Sequence, residues 1–256
     1  TDGGPLRWGL EPQAEFARVR ALATLGRGAE ALEVSARLAG TGDPVMRLSH
    51  AWLLVAEQRQ DDAVALFEVL RRDGSPVSSD AASALASIAL DEGRLDDAEK
   101  FVNEADRDPE QAQGARWLRA RIAEERGDMT EAVRLYQGIE SGPRALASQL
   151  RAFRLLREQG SPELGEMLLD DFQDVSPGAA VDVVSGVGAI LVEEGKGKEA
   201  IALLDRALEL LPDDGLRLAR GFLLERLDRV PEAVVDMRAV AKRRPNAPTA
   251  LNALGY

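Results

Sequence analysis

A small residue followed four positions later by a larger, mostly apolar one recurs seven times along the 256-residue chain, as Ala31/Ser35, Ala63/Phe67, Ala98/Val102, Ala132/Tyr136, Gly165/Leu169, Ala200/Leu204 and Ala233/Met237. The pairs are separated by 32, 35, 34, 33, 35 and 33 residues. A spacing of four puts both members on one face of a helix. Twelve positions before each small residue stand Val19, Ala51, Ala86, Ala120, Phe153, Gly188 and Gly221, five of which are small. Short side chains at matched positions let two helix backbones approach, so the pattern predicts seven helix pairs, each crossing at these sites. A proline follows 11 to 13 residues after every small residue, at Pro44, Pro76, Pro109, Pro143, Pro177, Pro212 and Pro245. Proline cannot continue a helix and disfavours helical geometry in the residue before it, so each is expected to end the second helix of a pair.

Between the paired helices the pattern places short turns such as Glu92-Gly93-Arg94-Leu95-Asp96-Asp97 and Arg126-Gly127-Asp128-Met129-Thr130. Glycine there supplies the positive φ that stops the first helix, and Asp or Thr is expected to cap the second. Gly165 breaks the pattern, because glycine inside a helix costs about 1 kcal/mol relative to alanine. With Phe153 opposite, it reads as a large-for-small exchange. Aromatic residues make up 4% of the chain and β-branched residues are sparse, which leaves an all-α fold.

The repeat length, the A-x3-F element and the prolines in register resemble the tetratricopeptide repeat family, whose period is about 34 residues. The resemblance runs from Pro12 to Tyr256, leaving residues 1–11 as an N-terminal extension and 12–256 as the repeat array. Residues Pro248 to Tyr256 match the start of an eighth first helix, so the array is expected to continue beyond them. The resemblance implies a right-handed superhelical solenoid whose inner groove is lined by the first helices, with partners laid along it. In that register the groove positions include Leu48, Trp52 and Val55; Trp117, Arg121 and Glu124; Leu150, Arg154 and Arg157; and Leu218, Phe222 and Glu225. Of these, Trp52, Trp117, Arg121, Arg154, Arg157 and Phe222 are the candidate partner-binding residues, since aromatics and arginines supply most binding hot spots. The competing reading is structural: the tryptophans cover seams between helices, and Arg154 and Arg157 pair with Glu158 or Glu124 on a solvated face. Some family members grip a terminal carboxylate with spaced Lys and Asn residues, and the matching positions here lack that set.

A formal charge of -12 and a pI near 4.8 argue against a nucleic-acid partner and favour a neutral or basic polypeptide. The chain has no cysteine, and His50 is its one histidine, so histidine-based triads and multi-histidine or thiolate metal sites lack their parts. His50 is expected to pack between helices. The acidic pairs Asp61-Asp62, Asp96-Asp97, Asp170-Asp171 and Asp213-Asp214 fall in turns and at helix starts, where capping and the helix dipole explain them. The glycines at 186, 188, 195 and 197 follow no strand and carry no P-loop lysine motif. The expectation is a non-enzyme without cofactor or metal. No apolar run reaches membrane-spanning length, so any membrane attachment would come from an anchor outside these residues.

The run Ala250-Leu251-Asn252-Ala253-Leu254-Gly255-Tyr256 and the arginine-rich usage, with Lys100, Lys196, Lys198 and Lys242 the only lysines, are similar to outer-membrane lipoproteins of pseudomonads. Members of that group are adaptors for a periplasmic carboxyl-terminal processing protease. The resemblance implies a periplasmic, outer-membrane-anchored adaptor that holds the protease or its substrates. The alternative is a structural subunit of an envelope secretion or polysaccharide-export machine.

Overall fold

The computed structural model describes residues 11–160, 177–245 and 252. Its described residues are helical with no strand: α1 Glu11–Thr24, α2 Gly28–Ala39, α3 Pro44–Ala56, α4 Gln60–Arg72, α5 Ser78–Asp91, α6 Leu95–Ala105, α7 Ala112–Glu125, α8 Met129–Gln137, α9 Ala145–Glu158, α10 Pro177–Glu193, α11 Gly197–Leu210, α12 Asp214–Arg226 and α13 Val230–Arg243. A short 3-10 turn, Pro109–Gln111, leads into α7. The Gly165/Leu169 pair, residues 1–10 and most of the eighth-helix segment lie outside the described residues.

The chain forms two compact units, residues 1–128 and 129–256. In the first, α1 packs on α2, α3 on α4 and α5 on α6, with each second helix also packed on the next first helix and α5 on α7. In the second, α8 packs on α9, α9 on α10, α10 on α11 and α12 on α13. The crossing positions are occupied as the spacing requires: Ala31, Ala51, Ala63, Ala86, Ala98, Ala120, Ala132 and Ala200 are fully buried. A methyl group added to Gly188 would stand 2.8 Å from Leu223 Cδ1 of α12, so an alanine there would require the Leu223 side chain to shift. The larger partners Phe67, Val102, Tyr136, Leu204 and Met237 are buried against them. In the first repeat the large position is filled by Ser35, and His50 from α3 compensates, its Nδ1 2.7 Å from Ser35 Oγ.

Every first-to-second turn described is built the same way. One residue takes positive φ, at Gly26, Gln58, Gly93, Gly127, Gly195 and Asp228, with values of 71°, 61°, 73°, 79°, 76° and 60°. The next backbone N–H donates five residues back, as from Arg94 to Ala89 O at 2.8 Å and from Arg229 to Leu224 O at 2.8 Å, the Schellman closure that satisfies the last carbonyls of a helix. That same residue begins the second helix. At five of the six turns the expected Asp or Thr cap is not there: the positions are Arg27, Arg59, Arg94, Lys196 and Arg229, none making a side-chain cap bond, while the sixth holds Asp128. Instead the arginine reaches an acid three residues on, as in Arg27–Glu30 at 2.6 Å, Arg94–Asp97 at 2.6 Å and Arg229–Glu232 at 2.7 Å. These clips are solvent-exposed and contribute little.

Side-chain caps appear at the other turns, where Asp43 accepts from Val45 and Met46 and Asp213 accepts from Gly215 and Leu216. The prolines also differ in role from the expectation. The second helices stop at Ala39, Arg72 and Ala105 before any proline is reached, whereas Pro44 and Pro109 open the following helix, where a missing N–H costs nothing.

Candidate functional site

In the first unit the candidate surface is carried by α3, α5 and α7. Trp52, on the third turn of α3, remains 45% exposed although its ring meets the fully buried Phe67 edge-on at 5.2 Å. Buried Phe67 thus steadies a tryptophan that stays nearly half exposed. Leu48 and Val55 on the same helix are half-buried on the unit's core. On α5 the corresponding positions are the small residues Ser83 and Ser87, both half-buried, and Ser83 donates to Gln111 at 3.3 Å. On α7, Trp117 is half-buried on the core, with the Arg121 guanidinium 5.0 Å above its ring. Arg121 in turn donates to Asp91 of α5 at 2.9 Å. Trp117 is thus closer to a seam residue than Trp52 is.

In the second unit the predicted arginines are engaged internally, with partners other than Glu158 or Glu124. Arg154 donates to Glu193 at 3.2 Å, and Arg157 to Glu194 at 2.9 Å. The Arg157 side chain is only 12% exposed and lies 5.6 Å over the Phe153 ring, so it staples α9 to the end of α10. Glu194 is held below its ordinary carboxylate range, chiefly by the Lys196 hydrogen bond and also by Arg157. Leu150 and Leu218 are half-buried, while Phe222 is 38% exposed on α12. Among the candidate residues, Trp52 and Phe222 are thus the exposed aromatic side chains, one in each unit.

The electrostatics of these faces were missed by reading the acidic pairs only as caps. Among second helices α2, α4, α8 and α13 follow the helix dipole, with acids in the first turn and Arg or Lys in the last, whereas α6 and α11 carry first-turn acids but no basic residue in the last turn. Among first helices α3, α5, α7 and α10 oppose the dipole, with no basic residue in the last turn and with Glu57, Asp91-Glu92, Glu124-Glu125 and Glu193-Glu194 closing them, whereas α9 and α12 carry Arg157 and Arg226 there. An acid at a helix C-terminus is disfavoured by about 0.3–1 kcal/mol.

In the first unit these ends and the turns after them form one continuous edge. Gln60 donates to Glu92 across successive repeats at 2.6 Å, and Arg126 to Asp96 at 3.1 Å. The segments 57–62, 91–97 and 124–128 together hold ten carboxylates against Arg59, Arg94 and Arg126. The signal was present in the sequence as the strings Asp91-Glu92 and Glu124-Glu125 just before each turn. Its meaning depends on knowing which end of which helix they close.

A second polar feature lies in the other unit, a cleft of about 330 Å³ lined by residues including Ile201, Asp205, Arg220, Leu224 and Asp236. Asp236 is 2% exposed and accepts from Arg220 Nε at 2.8 Å and Nη2 at 2.7 Å, with Arg217 at 3.6 Å. Arg220 also donates to Asp205 at 2.5 Å, and these hydrogen bonds, that of Asp236 first, hold its proton more tightly than usual. The charges are matched within the protein, and the cluster ties α12 to α11 and α13. No group of three or more His, Cys, Asp or Glu residues arranged to hold a metal occurs among the described residues, and no described helix is long and apolar enough to cross a membrane.

A solenoid-type stack of helix pairs with its repeat registered on small crossing residues is the class that the geometry defines. Residues 48–112 match the tetratricopeptide repeat family model, which supports the family resemblance directly over that stretch. A TPR repeat-containing protein of Pseudomonas aeruginosa is 28% identical over 137 residues, which is 53% of this chain and 23% of that protein. The chain thus spans under a quarter of the length of this curated relative. A tetratricopeptide repeat protein from Parabacteroides merdae aligns over 95% of this chain and 97% of its own, with TM-score 0.48 and 13% identity. The Naa15/Naa10 complex bound to HypK-THB aligns over 96% of this chain and 40% of the matched chain, with TM-score 0.40 and 16% identity.

Proposed function

We propose that this chain is a non-catalytic adaptor that holds a partner polypeptide along the solvent-facing sides of its first helices. The observation that carries the reading is Trp52: a tryptophan kept 45% exposed, with one edge seated on buried Phe67, is an anchor with little left to order on binding. The tetratricopeptide match over residues 48–112 includes it, and such repeats generally mediate protein–protein interaction. A finer version places the protein in the Gram-negative envelope, attached to the outer membrane through an anchor outside this chain, and gives it a periplasmic processing protease or that protease's substrates as partner. The similarity to a Pseudomonas aeruginosa repeat protein supports the bacterial setting of that version.

The test is co-purification from an envelope extract of the native host with wild type and Trp52→Ala, followed by mass spectrometry. The proposal expects a protein recovered with wild type and depleted at least tenfold with the variant. Equal recovery from a correctly folded variant contradicts it, and a recovered partner other than a protease or its substrate contradicts the finer version.

A further inference from the structure

The face of the first unit that carries Trp52 ends on an acid: the 45%-exposed Trp52 stands on α3 five residues before Glu57, which closes that helix. On α7 Trp117 is followed by Arg121, which is already committed to Asp91, so its charge is spent on the protein's own edge. The corresponding positions on α5 are the small, half-buried Ser83 and Ser87. Glu57, Asp91, Glu92, Glu124 and Glu125 close helices whose dipoles disfavour them, so local helix stability does not explain their placement. Asp61, Asp62, Asp96 and Asp97, in the first turns of α4 and α6, add to the same edge at positions the dipole favours.

Resting on the reading of this face as a docking surface, we propose that its occupant is a basic peptide segment: an apolar side chain seated on Trp52, with neighbouring Lys or Arg side chains reaching the acidic edge. Ten carboxylates stand against three arginines over segments 57–62, 91–97 and 124–128, and with Arg121 reaching Asp91 from outside them the edge still carries a net negative charge complementary to cations. An acidic segment, an anionic membrane or a nucleic acid would meet the same edge as like charge and be rejected. Because the edge is solvent-exposed, the attraction acts through a high dielectric and is screened over a Debye length of about 8–10 Å at ordinary salt.

The probes are two fluorescein-labelled 12-residue peptides with identical Leu and Phe anchors, one carrying four lysines and the other four glutamates. Binding to the 256-residue chain is followed by anisotropy at low and at physiological salt. The lysine peptide is expected to bind at least tenfold more tightly than the glutamate peptide, with the ratio shrinking as salt rises. Trp52→Ala is expected to weaken the lysine peptide about tenfold. Neutralising three exposed acids together, Asp61→Asn, Asp96→Asn and Glu125→Gln, is expected to weaken it severalfold while circular dichroism at the assay temperature keeps the helical spectrum of wild type. Equal binding of the two peptides, or no binding of either, overturns the proposal, as does a charge-neutralised variant that binds like wild type. If Trp52→Ala still abolishes recovery of the native partner while the two peptides bind alike, the docking reading stands and the choice of a basic occupant falls.

Discussion

Two of the six described turns close with a side chain that pays for left-handed backbone, and the other four use glycine. Gln58 sits at φ 61° and Asp228 at 60° where Gly26, Gly93, Gly127 and Gly195 occupy the same step. An L-residue in that region costs roughly 1–2 kcal/mol, while a glycine costs about 0.5–1 kcal/mol more chain entropy on folding. The difference makes Gln58→Gly stabilising by about 0.5–1 kcal/mol. Asp228→Gly gains less, because Asp tolerates this conformation better. The reverse change at Gly93 has no steric component, since a Cβ there would meet nothing within 4 Å. Gly93→Ala should therefore show the backbone penalty alone, about 1 kcal/mol destabilising. Urea unfolding followed by circular dichroism resolves both: with an m-value of about 2 kcal/mol/M, the midpoint should move up by roughly 0.3 M for Gln58→Gly and down by about 0.5 M for Gly93→Ala. A destabilised Gln58→Gly would refute the reasoning that the six turns are conformationally equivalent.

Three further outcomes follow from packing and charge. Leu204, fully buried beside Gly188, should cost about 2–5 kcal/mol when cut to alanine, read as a lowered urea midpoint. Arg220→Met should destabilise by about 2 kcal/mol, since it strips buried Asp236 of its bidentate partner while Arg217 remains at 3.6 Å; adding Asp236→Leu should restore most of the loss. His50 is held below its ordinary 6.5 by burial first and by Arg59 second, so the folded chain resists its protonation. Stability from the neutral ring is fully present above that value and is lost as pH falls through the folded value. Thermal melts from pH 7.5 to 5 should therefore fall more steeply for wild type than for His50→Gln.

Much of the fold was legible because it rests on one-dimensional spacing. Ala51, Ala63, Ala86 and Ala98 are buried where the period put them, and the glycine turns have the expected positive φ. What escaped depends on facing elements. That Arg154 and Arg157 meet Glu193 and Glu194, and not Glu158 or Glu124, is set by which helix ends lie side by side, 37 to 39 residues apart in sequence. The turn arginines were unreadable for a different reason. The Schellman closure leaves a single residue to end one helix and begin the next, and with no side-chain cap there, the arginines pair forward along the second helix. The candidate site was legible in its aromatic positions and illegible in its charge, since Asp91 and Glu92 look like ordinary turn residues until α5 is seen to end on them.

The most direct test of the central claim is site-specific photo-crosslinking in the native host, with a benzophenone amino acid at Trp52 on α3 or at Val69, half-exposed on α4. A discrete protein adduct is expected from position 52 and none from position 69. An adduct from 69 alone would contradict it and move the binding surface to the second helices.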